Sequence, residues 1–213
     1  MENTLYIYDV IGAGFFEEGV TAKSVRDELA KMDKAKPVVA RINSPGGDVF
    51  EGVAIRAQLE QWAAGVEIIV DGIAASAASY IATAGTSVSM AEGAMLMVHD
   101  PWTFAVGNAA EMQRAAATLD KIADSMVGAY AKRSGKSHEE VRDTMRAETW
   151  MTAAEAIEYG LADSTMEGVS AMAWAIPKAF GFKHPPQPAA EPKQRPTNGL
   201  AAKQRQLDLA RLL

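Results

Sequence analysis

The chain has 213 residues, 48% apolar and 23% charged, which suits one main domain with a substantial core and an appended tail. A net charge of -6 argues against nucleic acid as the main partner, since phosphate binding needs a basic face. With no cysteine, disulfides, thiolate zinc sites and a cysteine nucleophile are excluded. Met1-Glu2-Asn3-Thr4 carries no basic leader, and no apolar run is long enough to span a bilayer, so a soluble cytoplasmic protein without membrane contact is expected.

In chain order, Leu5 to Gly12 is a β-rich run ending in glycine. A helix is predicted from Thr21 to about Asp33, with Val25, Leu29 and Met32 on one face. Pro37 to Ile42 reads as a second strand running into the turn Asn43-Ser44-Pro45-Gly46-Gly47. Helical spacing returns from Asp48 to about Trp62, and Val66 to Val70 is a third strand. This alternation predicts an α/β layer with parallel pairing. Ser87-Met90 and Ala94-His99 read as two short strands, followed by a long helix from Asn108 to about Arg133. Two shorter helices carry capping boxes, Ser137 with Glu140 and Thr152 with Glu155, the second stopping at Gly160. The expected organisation is a domain over 1–182, a proline-rich linker over 183–199, and a short helical tail over 200–213 that serves docking or assembly.

Asp71 to Gly85 is the stretch to which chemistry points. It places Ser76 where a strand passes into a helix, and the free N–H groups of a first helical turn favour negative charge beside that side chain. By itself an alanine and serine run is more commonly tight helix packing. Of three histidines, His138 lies in a capping box and His184 in the proline-rich stretch, both expected to be exposed. His99 ends an apolar strand and precedes Asp100-Pro101; it reads equally as a buried structural histidine or as a general base for Ser76. The Gly46-Gly47 turn serves either as a plain strand-to-helix turn or as a nest of amides for an oxyanion, with donors at Gly47 and Ala77.

Five ordered segments carry a resemblance: Ile42-Asn43-Ser44-Pro45-Gly46-Gly47, Gly72-Ile73-Ala74-Ala75-Ser76, Thr83-Ala84-Gly85, Met97-Val98-His99-Asp100-Pro101, and Ala153 to Asp163. From about Leu5 to Asp163 the chain resembles the proteolytic subunit of the ATP-dependent Clp protease, a serine peptidase. More narrowly it is similar to the Clp-like head maturation proteases of phage and prophage capsid modules. The resemblance implies an α/β spiral of β-β-α units of the Clp and crotonase type, with the long helix after Asn108 as a protruding handle between stacked rings, expected to be heptameric. It implies Ser76 as nucleophile, His99 as base, Gly47 and Ala77 at the oxyanion hole, and no metal or cofactor. The acid falls on Glu148, where the family has aspartate, with Asp143 as the alternate.

Peptides or unfolded proteins are the substrates this implies, with capsid or scaffold proteins among them. Leu5 already begins the first strand, which weighs against coupling to a ring ATPase. Three other readings share parts of the pattern: a signal-peptide-peptidase relative with a lysine base, a crotonase-like coenzyme A enzyme, and an inactive capsid or scaffold component that keeps the fold.

Overall fold

The computed structural model describes residues 3–12, 19–170 and 181–185. Its first three strands, β1 (Asn3–Tyr8), β2 (Val38–Ser44) and β3 (Val66–Ala75), pair in parallel, with Leu5 opposite Ala40 and Ala40 opposite Ile68. Leu5, Ile7, Val38, Ala40, Ile42, Val66, Ile68 and Val70 are buried, as alternating positions of strands covered by crossover helices should be. The helices are α1 (Ala22–Leu29), whose Val25 and Leu29 are buried, and α2 (Val49–Glu60), which buries Ile55 and Leu59. Asp48 starts α2 by accepting the backbone N–H groups of Phe50 and Glu51, which would otherwise have no intrahelical partner.

β3 is the strand on which the architecture turns. Its first half, Glu67 to Val70, pairs with β4 (Ser87–Glu92), and its second half, Ile73 to Ala75, pairs with β5 (Met95–Val98). Between the halves sits Asp71, buried, ion-paired to Arg41 of β2 and accepting the Tyr8 hydroxyl of β1 at 2.7 Å. The β2–β3 register shifts there between Ile42 and Ser44, and the Asn43 side chain accepts the Ile73 N–H at 3.2 Å within the irregular stretch. The strand therefore continues five residues past Val70 before α3 (Ala77–Ala82) begins.

β6 (Thr149–Thr152) runs antiparallel beside β5, and β7 (Ser164–Ser170) runs parallel beside β4. Between β5 and β7 lie α4 (Ala109–Ser134), α5 (His138–Arg146) and α6 (Ala153–Tyr159). Both predicted capping boxes form, and Gly160 closes α6 in the left-handed conformation. At 26 residues α4 is about 39 Å long. Its buried residues all lie between Ala123 and Ala131, so the preceding half projects past the sheet as a handle.

This is the mixed α/β architecture expected of the Clp and crotonase type, although α1 and α2 are shorter than their periodicity suggested, while α4 has the expected length. α1 ends at Leu29, with Met32 packing from the turn beyond it. Residues 186–199 of the expected linker and the expected helix over 200–213 lie outside the described residues. Among the described residues no helix is long and apolar enough to cross a membrane.

Candidate active site

Ser76 occupies the junction of β3 and α3 with φ 56° and ψ -124°, a conformation non-glycine residues rarely adopt. Backbone bonds on both sides hold it: its N–H donates to the Met97 carbonyl at 3.0 Å, and its carbonyl accepts the Tyr80 N–H at 3.1 Å. Gly46 packs directly beneath. A Cβ on that residue would lie 2.7 Å from Ser76 Cβ and 2.6 Å from the Ala75 carbonyl oxygen, so the turn closes only over a bare backbone.

His99 follows β5 immediately, and its Nε2 lies 2.8 Å from Ser76 Oγ. β3 and β5 are direct neighbours, with Ala75 opposite Met97, and this pairing brings the two side chains together. The imidazole is buried, and that desolvation holds its pKa below the usual histidine value; the Glu148 and Asp100 charges oppose the shift, and Lys183 adds to it. The ring is therefore neutral near pH 7, free to accept a proton from a hydroxyl at hydrogen-bond distance.

The glycine turn faces the same place. Ile11 donates to the Gly46 carbonyl at 2.8 Å and accepts from the Asp48 N–H at 2.9 Å, so this pairing uses the neighbours of Gly47 and turns the Gly47 amide away from it. Ala77 is the first residue of α3, where N–H groups lack intrahelical acceptors. Gly47, Ser76, Ala77 and His99 all border one cleft of about 630 Å³, within the usual range for a ligand site. Phe50, Trp102 and Phe182 give it apolar walls.

Glu148 is buried between α5 and β6 with φ 50°. Its Oε2 accepts the Lys183 N–H at 2.8 Å and its Oε1 the His184 N–H at 2.7 Å, with Trp150 Nε1 at 3.4 Å from Oε1. Burial alone would raise its pKa, but these donors outweigh it and hold the carboxyl below the ordinary glutamate value. Among the described residues no hydrogen bond joins Glu148 to His99; the two interact through their charges. Asp143, the alternate acid, is exposed on α5 and paired with Arg146 at 3.3 Å. His138 and His184 are exposed.

Sequence patterns gave no sign of Phe182, whose ring meets His99 edge-on with 5.5 Å between centroids. Nor did they mark the amides of Lys183 and His184, because backbone donors carry no residue code.

Sequence and fold are both similar to those of known proteins. The family model described as Clp protease matches residues 18–169. The ATP-dependent Clp protease proteolytic subunit of Porphyromonas gingivalis is 31% identical over 163 residues, covering 74% of this chain and 73% of the relative. Subunit 1 from Chlamydia abortus is 32% identical over 167 residues, 71% of this chain and 84% of that protein. Among solved structures, a ClpP1 mutant from Listeria monocytogenes superposes with a TM-score of 0.68 over 78% of this chain and 92% of that one, at 22% identity. Fold, sequence and family model agree: the chain belongs to the Clp protease family.

Proposed function

We propose that the chain is a serine endopeptidase of the Clp type, acting as the proteolytic subunit of a self-compartmentalised ring of identical copies. The observation that carries this reading is the 2.8 Å approach of His99 Nε2 to Ser76 Oγ at a strained strand-to-helix turn. His99 takes the hydroxyl proton as Oγ attacks a peptide carbonyl carbon. The carbonyl oxygen becomes an oxyanion facing the Gly47 and Ala77 amides. The imidazolium then protonates the leaving nitrogen, the C–N bond breaks, and an acyl ester remains on Ser76. Water, giving a proton to His99, hydrolyses the ester, and Ser76 recovers its hydroxyl hydrogen. Glu148 supplies the acid's role through its charge, favouring the imidazolium as it forms.

The ring assembly rests on family membership and on the projecting half of α4, where Ala109, Ala110, Met112, Ala116 and Ala117 are exposed. Stacked heptamers follow from the family resemblance. The finer likeness to phage and prophage capsid-module proteases makes capsid or scaffold proteins the first substrates to try.

A fluorophosphonate probe tests the reading. Wild-type protein is expected to be labelled at Ser76, Ser76→Ala to be unlabelled, and His99→Ala to react about 100-fold or more slowly. Labelling that persisted in Ser76→Ala would assign the nucleophile elsewhere.

A further inference from the structure

The short segment 181–185 reaches the catalytic cleft from far along the chain and is held there from two sides. Phe182 lies between two rings: its centroid is 5.5 Å from that of His99 and 5.5 Å from that of Trp150, edge-on to both at 80°. With Trp150 it packs on a small apolar cluster of Ile73, Ala75 and Met97, separate from the main core. That cluster sits directly under the reacting groups, because Ala75 precedes Ser76 and Met97 lies two residues before His99. The next two residues donate both their amides to one carboxylate, Lys183 to Glu148 Oε2 at 2.8 Å and His184 to Oε1 at 2.7 Å. Charge-assisted bonds of this kind are about twice as strong as neutral ones, so the segment is anchored. Its anchor and its aromatic clamp both belong to β6, the strand paired antiparallel with β5, and to the residue that enters it, since Trp150 pairs with Met97 and Glu148 precedes β6.

We propose that Phe182–His184 is a strap that positions the base: Glu148 fastens it through two amides, and Phe182 fixes the His99 ring plane and shields it from water. The inference rests on the serine peptidase reading for its catalytic meaning. Phe182 is a positioning residue, acting through His99. The charged groups acting on the His99 ring are Glu148, Asp100 and Lys183. Loosening the strap hydrates the imidazole and withdraws the Lys183 charge. Both changes raise the pKa of His99, so the base becomes protonated at a higher pH.

The test measures fluorophosphonate labelling against pH in the full chain and, independently of catalysis, titrates the imidazole of His99 by NMR, which a protein with three histidines permits. Phe182→Ala is expected to label roughly tenfold more slowly at pH 7 and to raise both midpoints by about one pH unit. Phe182→Leu, which keeps apolar cover, stays close to wild type. Lys183→Pro, which removes one anchoring N–H, shifts the midpoints further than Lys183→Ala, which keeps it. Thermal melts identify any variant that fails to fold, and the remaining variants still decide. Unchanged midpoints in both Phe182→Ala and Lys183→Pro overturn the proposal, as does faster labelling once the strap is loosened. Absence of labelling in wild type would instead defeat the peptidase reading, leaving the NMR midpoints to judge the strap.

Discussion

The phenol oxygen of Tyr130, on the handle helix, lies 2.8 Å from Ser79 Oγ, one helical turn beyond Ser76. A serine hydroxyl has one proton, and that of Ser79 points at the carbonyls of Met97 and Ser76, at 2.7 and 2.8 Å. Tyr130 is therefore the donor. Burial pushes its pKa well above the ordinary phenol value, so it remains protonated across the usable pH range. Met97 O also accepts the Ser76 N–H, so one network joins α4, β5 and the turn that carries Ser76.

Tyr130→Phe is expected to cost about 1–2 kcal/mol of stability, the usual loss for a buried hydrogen bond, without creating a cavity. It should also slow labelling of Ser76, because the turn loses a tie to the helix. Urea denaturation gives the first quantity and probe kinetics the second. A double cycle with Ser79→Ala isolates the pair, and additive effects would show that the hydroxyls do not act together.

Gly47 supplies a sharper steric prediction. With φ at 149°, a Cβ there would lie 2.1 Å from the Ile11 carbonyl oxygen, and backbone cannot swing aside as a flexible side-chain tip can. Gly47→Ala must displace either the Ile11 strand extension or the glycine turn that borders the cleft. A loss of about 1–3 kcal/mol is expected from strained backbone alone, together with a large fall in acylation rate. Denaturation midpoints and probe kinetics check it; a variant with wild-type values in both would mean that the turn does not depend on glycine at this position.

Much of this site was readable beforehand because the informative residues are punctuation. Ser76 sits between an apolar strand and a small-residue helix, His99 closes the Met-rich strand, and Ser137, Thr152 and Gly160 mark helix ends by mechanisms local to a few residues. Elements whose cause is long-range were not readable. β6 is only four residues between two helices, and β7 begins Ser164-Thr165-Met166-Glu167 with no apolar run; each is a strand because β5 or β4 offers it a ladder. Asp71 and Gly72 are poor strand formers, yet β3 runs through them, held by Arg41 and by the new partner β5. The bonds from residues 183 and 184 to Glu148 span 35 and 36 positions and involve backbone on one side.

The two site groups with shifted pKa values give a pH prediction of definite sign. Burial lowers the pKa of His99 in the folded protein, so between that value and about 6.5 the unfolded chain binds a proton that the native state does not. Stability therefore falls as pH drops through about 6.5. Glu148 is also depressed, so its contribution is present above about 4.3, the unfolded value, and disappears as pH falls through the lower folded value. The expected result is a denaturation midpoint that declines in two acid steps, the upper one absent in His99→Gln and the lower one weakened in Glu148→Gln. Labelling of Ser76 should persist from pH 6.5 down to the lowered pKa of His99, the range in which burial keeps the imidazole neutral. A rate midpoint above 6.5 would mean that the charge of Glu148, rather than burial, dominates the imidazole.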